Sequence, residues 1–364
     1  MHRLPRRCVG HSRRGSRLPG TAAPCFYYVS SASPAKVWSA LSPEAARMPT
    51  SRLRKLLYRL GLLTPFWQVD RTRYLKRLAR RKVGDWRYVA EDDAAQFAGN
   101  EVVARLMGVS APVFFYCDRN SSSIEADILK SAKVESGALK HRWRVLELGM
   151  DLISPDSRVI DAGANIGIYA LPWAAINADV TVHCFEPNPA VRSRLARNVA
   201  LNRLTARIRL HAEALSDRAG TATLYGSDDM SSLNKGVYTG AVQAVPTDVP
   251  LARLDDIVGI EGPPVSLIKI DVQGHELEVL RGADALISRY RPALILEHED
   301  NLYLSASEAN QRKTDLAKLL SRLGYETLYI SRWGSDLLTV ADWSRHLNGD
   351  LLALPLDNQA QKAP

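Results

Sequence analysis

Four carboxylates stand where short apolar runs of this chain end: Asp161 in VIDAGANIG, Glu186 in HCFEPNP, Asp271 in IKIDVQGHE and Glu297 in LILEHE. Any one of them reads equally well as a helix N-cap or a solvated turn acid. Four delivered to one rim can do more. They can accept the hydroxyl hydrogens of a nucleoside, offset a cationic ligand, or take a proton from a poor nucleophile. Asp161 opens a D-x-G-x-N-x-G pattern with Gly163, Asn165 and Gly167, and glycine lets the backbone approach a ligand closely. The G-x-G-x-x-G spacing of dinucleotide sites is not met, and no Lys-Ser/Thr pair follows as a phosphate P-loop requires. Glu186 lies 25 positions after Asp161, at the end of the next apolar run, where an acid suits a ribose.

These groups need a sheet whose strands all end on one side. From about residue 157, short apolar runs alternate with helical segments. SRVIDAG, VTVHCFEP, RIRLHAEAL, VSLIKIDVQG, PALILEHE and YETLYIS read as strands. Residues 167–178, PAVRSRLARNVALN, HELEVLRGADALI and 307–322 read as helices. Continuous apolar strands between helices predict an α/β fold, a mostly parallel sheet covered on both faces. Right-handed crossovers then bring the strand C-terminal ends, and the four acids, to one rim. DDMSSLNKG (228–236) reads as a polar loop over that rim, a lid or a plain turn.

Charge is divided along the chain. Residues 1–83 hold nineteen Lys and Arg against two acids, whereas the remainder carries a net −8 within a total of +9. An acidic main domain is not that of a nucleic-acid binder. Residues 1–50, rich in Arg, Gly and Pro and without an apolar h-region, read as a disordered basic extension. Residues 51–130 read as a helical and mixed region, 131–356 as the α/β domain and 357–364 as a tail. SRLRKLLYRLGLL (51–63) places leucines at helical spacing among basic residues, and 71–82 continues this character. Such a helix can lie on an anionic membrane surface; the plainer reading packs it on the main domain. Residues 84–145 carry signs of a few strands and a helix. No apolar run reaches membrane-spanning length, and four scattered cysteines (Cys8, Cys25, Cys117, Cys184) show neither a disulfide framework nor zinc spacing, so a cytoplasmic protein is expected.

VIDAGANIG, FEPNP and IKIDVQGHELEVLRGA together resemble the FkbM family of S-adenosylmethionine-dependent methyltransferases, over roughly residues 130 to 330. The resemblance implies the Rossmann-like class I methyltransferase sheet, seven strands with a reversed last one, which LLTV or LLALP can complete. It implies O-methylation of hydroxyls on sugars, glycolipids or polyketide-like acceptors. Asp161, Gly163, Ala164, Asn165 and Gly167 should line the methionine part of the cofactor, Glu186 the ribose, and Glu213 with Ala214 the adenine. The family form usually has Glu at Gln273.

Methyl transfer to an alcohol gains from a base near the acceptor proton. Asp271 and His275 are the candidates, with Glu297 and His298 lining the acceptor pocket and Glu276 reading as a helix-start acid. A helix N-terminus disfavours an imidazolium and would keep His275 neutral. Asp271 with Glu297 can hold a divalent cation, but two acids are a thin ligand set and a metal is not favoured. Three other functions compete. An NAD(P)-linked oxidoreductase lacks its middle glycine. A degenerate binding module would not keep Asp161, Gly163, Gly167, Glu186 and Asp271 together. An RNA methyltransferase would need a basic core and an N/D-P-P-Y type motif.

Overall fold

A computed structural model of the chain describes residues 27–29, 63–65, 87–91, 101–107, 109–120, 124–131, 140–227, 230–233, 246–299, 303, 305–331, 337–338 and 348–356. The basic extension outside 27–29, the amphipathic segments 51–62 and 71–82, and the side chain of His298 lie outside them.

The front of the described chain is antiparallel. Strand β1 (Tyr27–Val29) pairs with β2 (Leu63–Pro65). Strands β3 (Arg87–Glu91), β4 (Glu101–Met107) and β5 (Val113–Asp118) form a meander, followed by helices α1 (Ile124–Ser131) and α2 (Lys140–Leu152).

The α/β part then runs β6 (Arg158–Ala162), α3 (Ala170–Ile176), β7 (Thr181–Phe185), α4 (Pro189–Leu201) and β8 (Ile208–His211). After these come β9 (Ala214–Leu215), β10 (Gly220–Ser227), β11 (Met230–Ser232), β12 (Thr247–Ala252) and α5 (Leu254–Val258). The chain closes with β13 (Val265–Ile270), α6 (Glu276–Arg281), α7 (Asp284–Tyr290), β14 (Ala293–Glu299), α8 (Ala306–Arg322), β15 (Tyr325–Ser331), β16 (Leu337–Leu338) and β17 (Asn348–Pro355). Its main sheet has the order β16-β15-β17-β14-β13-β6-β7-β8. Strands β8, β7, β6, β13 and β14 are mutually parallel, and β17 inserts antiparallel between β14 and β15. This is the expected seven-stranded sheet with its last strand reversed, extended by the two-residue β16. LLALP, inside β17, supplies the reversed strand.

Composition explains these elements. Every residue of β6 and β13 is buried, as strands covered on both faces must be. Asn188 caps α4 by accepting from the Ala190 and Val191 amides, and Pro189 occupies the first turn. Ser305 and Glu308 have capping-box spacing, and Ser305 Oγ accepts from the Glu308 amide at 3.1 Å.

Four expectations are corrected. RIRLHAEAL is two strands, because β8 ends at His211 and β9 joins a second sheet of order β11-β10-β12-β9. The helix 167–178 shortens to 170–176, because Gly167 turns at φ +93°. HELEVLRGADALI breaks into α6 and α7 at Gly282, where a Cβ would stand 2.0 Å from the Ser216 carbonyl oxygen. Asp255 then caps α7 from outside, accepting from the Ala285 and Leu286 amides. Among the described residues, 84–145 contain helix α1 and also the start of α2, which continues to Leu152.

The meander shares a core with the main sheet: Val102, Leu106, Phe115 and Trp173 are all fully buried in one cluster. Its outer edge is closed by helix α4. Asn202 Oδ1 accepts from the Phe114 amide and Asn198 Oδ1 from the Tyr116 amide, each at 2.8 Å, while Asn202 Nδ2 donates to the Phe114 carbonyl. Asn198 Nδ2 also donates to the Ile166 carbonyl, in the turn after β6.

Candidate active site

The turn after β6 is built from backbone conformations that side chains resist. Gly163, Asn165 and Gly167 have φ of +75°, +51° and +93°. A Cβ on Gly163 would lie 1.8 Å from the Asp271 carbonyl oxygen, so only glycine lets this turn close on the end of β13. Gly167 serves packing, since a Cβ there would press on Leu195 and Leu171. The Gly163 and Ala164 amides both donate to the Phe185 carbonyl, tying the turn to the end of β7.

Glu186, one residue past β7, is clasped by backbone. Its Oε2 accepts from the Asn165 amide and its Oε1 from the Asn188 amide, each at 3.0 Å. Burial pushes its carboxyl up to about 7 against these two bonds.

Strand β13 carries a charge inside its apolar run. Lys269 Nζ donates to Asp271 Oδ2 at 2.9 Å and to the Gly163 carbonyl at 3.4 Å, lies 3.6 Å from Asp161 Oδ1, and sits over the Tyr169 ring. Asp161 is fully buried, and among the described residues no donor meets either of its oxygens in full hydrogen-bond geometry. Burial raises its carboxyl to about 6 even beside this ammonium. Burial also works against the Asp271 carboxylate, but the Lys269 ammonium outweighs it and holds Asp271 below the ordinary carboxylate range. Gln273, at φ +55°, bridges two acids: its Nε2 donates to Asp271 Oδ1 at 3.0 Å and to Glu297 Oε2 at 3.1 Å. Burial first, and the Asp271 charge second, push Glu297 well above the carboxylate range.

His275 sits at the start of α6. Its Nε2 is 3.0 Å from Ser216 Oγ, and its Nδ1 is 3.6 Å from Glu278 Oε2, which belongs to a carboxylate paired with Arg312. Burial lowers its pKa and favours the neutral ring.

A cavity of about 290 Å³ opens among these groups at the carboxyl ends of the strands. Gly163, Ala164, Asn165, Glu186, Glu213, Ala214, Asp271, His275 and Glu297 all line it. Asp161 and Gly167 do not; they lie behind its wall. Of the loop 228–236, Ser231 and Ser232 are described and line the cavity, Ser231 tied to Asn188 Nδ2 and Ser232 to the Gln273 carbonyl. Lys269, Gln273, Tyr169, Arg142, Asp127, Glu299 and Asp350 line it too and were not singled out as site residues. For Lys269 a signal existed, a lysine within an otherwise apolar strand. For Arg142 none did, since α2 has no clean apolar stripe. Among the described residues no cluster of three or more His, Cys, Asp or Glu could hold a metal ion, and no helix is long and apolar enough to cross a membrane.

The sequence profile described as the Methyltransferase FkbM domain matches residues 161–327. Methyltransferase sdnD of Sordaria araneosa is 33% identical over 155 residues, 35% of this chain and 60% of that protein. The 31-O-demethyl-FK506 methyltransferase FkbM of Streptomyces tacrolimicus is 30% identical over 42% of this chain and 70% of its own length. The hexuronic acid methyltransferase AglP of Haloferax volcanii is 29% identical over 40% of this chain and 57% of its own. The matched region thus spans about 60% of the first of these relatives, not the whole of it.

Proposed function

The chain belongs to the FkbM family of methyltransferases, and on that premise we propose that it is an S-adenosylmethionine-dependent O-methyltransferase acting on a hydroxyl of a sugar, glycolipid or polyketide-like acceptor. The observation that carries this reading is one cavity in which the Gly163–Asn165 turn and Glu186 face the Asp271–Glu297 pair. The names of two relatives, one for a 31-O-demethyl compound and one for a hexuronic acid, support an oxygen acceptor.

The residues fit the cofactor. The Gly163 turn admits a ligand close to its backbone. Glu186, fixed by two amides, keeps lone pairs for two ribose hydroxyls. Gly163, Ala164 and Asn165 would hold the methionine part, and Glu213 with Ala214 the adenine. Asp161, behind the wall, acts through Lys269 and the turn. When bound, the cofactor supplies an electrophilic methyl group on a sulfonium centre.

The chain's own task is to hold the acceptor hydroxyl in line and receive its proton. Asp271 alone, held low by Lys269, is a weak base. Glu297, joined to it through Gln273 and pushed well above the carboxylate range, is the stronger base of the pair and accepts the acceptor's proton once it has shed its own. His275 has Ser216 and Glu278 beside its two ring nitrogens, so accepting a substrate proton requires it to give up one of them. Titration of the protein with S-adenosylhomocysteine in a calorimeter, with NADH in parallel, tests the reading. Micromolar binding of the first and none of the second is expected. Binding of NADH alone would overturn it.

A further inference from the structure

Arg142, on α2, is the cavity residue whose hydrogen-bonding capacity is least used. Among the described residues it makes no hydrogen bond, and its Nε is shielded from solvent with no partner. Its one ion pair is with Asp127 at 4.0 Å, a carboxylate whose side chain is 48% exposed. Such a pair is worth little. The Arg142 side chain is 24% exposed, but its shielded Nε is a donor that costs stability unless something satisfies it.

Tyr169 and the neighbouring acids Glu297, Asp127 and Asp271 offset its charge, but they do not take up its donors. Asp271 already has the Lys269 ammonium at 2.9 Å, and Glu297 receives the Gln273 amide. Lys269 and Arg142 are the two permanent cations lining the cavity among the described residues, and Lys269 is spent within the wall. Arg142 remains as a planar fork of donors beside an otherwise acidic cavity. That geometry matches a carboxylate, which accepts two parallel N–H bonds.

We propose that Arg142 is the carboxylate-binding residue of this cavity. The inference rests on the cofactor reading above. Two ligands can bring the group: the methionine part of the cofactor, or an acidic acceptor such as a uronic acid. Arg142 shares the cavity with the turn after β6, which should hold the methionine part, and with the Asp271–Glu297 pair, which should face the acceptor.

Calorimetry on the full chain separates the sources. S-Adenosylhomocysteine carries the carboxylate; methylthioadenosine has the nucleoside without it. Arg142→Met is expected to weaken the first by roughly 10- to 100-fold and leave the second within about twofold, with Arg142→Lys in between. Unchanged methylthioadenosine binding also shows that the variant is folded. If S-adenosylhomocysteine binding is unchanged, but glucuronate binds the wild-type complex with it and not the variant complex, the carboxylate comes from the acceptor. Unchanged binding of S-adenosylhomocysteine and glucuronate alike, or equal loss of both nucleosides, overturns the proposal. Failure of the wild-type protein to bind S-adenosylhomocysteine defeats the cofactor reading, and this inference with it.

Discussion

The two halves of the cavity are made in different ways. Where β6 and β7 end, the key carboxylate is gripped by main chain: Glu186 receives the Asn165 and Asn188 amides, and the turn itself is closed by backbone bonds to Phe185. Where β13 and β14 end, side chains hold side chains: Lys269 grips Asp271, and Gln273 spans Asp271 and Glu297. A half built from main chain tolerates many side-chain changes but not an added Cβ. A half built from side chains can be retuned one residue at a time. On the proposed reading, the first would hold the cofactor and the second would face the acceptor.

Three experiments probe that contrast. The largest effect is expected at the seam. Lys269→Met leaves the fully buried Asp161 without its countercharge, and breaking a buried pair costs about 3–5 kcal/mol. Denaturant unfolding should read that loss; a change below about 1 kcal/mol would mean that charge does not hold the seam. Next is Gly163→Ala in the main-chain half. The left-handed backbone alone costs about 1–3 kcal/mol, and the added methyl collides with the Asp271 carbonyl. S-Adenosylhomocysteine affinity should fall with stability, and retained affinity would show that the turn yields.

The smallest effect is a pH dependence. Glu186 is raised to about 7 in the folded protein, above its ordinary value of 4.5. The folded state therefore binds more protons between those values, and this group's contribution to stability declines as pH rises through that window. Ribose hydroxyls donate to the ionised form. Cofactor affinity should be greatest above about 7 and fall by up to roughly tenfold per pH unit below it. In Glu186→Gln, affinity should be weaker overall and this slope should vanish; a wild-type slope in that variant would assign the titration to another group.

Much of this was legible in the sequence. The apolar runs RVIDA and VSLIKI announced buried parallel strands, and the acids at strand ends announced the rim. What did not show was depth. Asp271 and Glu186 are the first residues beyond their strands and so reach the cavity, whereas Asp161 lies inside β6 and stays behind the wall. Position along the strand is not the whole rule, since Lys269 and Glu297 line the cavity from within β13 and β14, and composition does not display which residues reach it. The second sheet was hidden because β9 and β11 have two and three residues and β12 is irregular in burial. Arg142 was hidden because α2 buries Arg144 and Glu147 beside its leucines, which blurs the helical stripe.

The asparagines that close the edge of β5 also bear on the birth of the protein. Their partners lie 82 and 88 residues earlier in the chain. At about 5–20 residues per second, the ribosome delivers β5 roughly 4–18 s before the helix that covers it. For that interval the nascent meander exposes an open strand edge, the kind of surface that recruits other chains. Asn198 and Asn202 therefore end a window of exposed strand edge as well as satisfying three backbone groups.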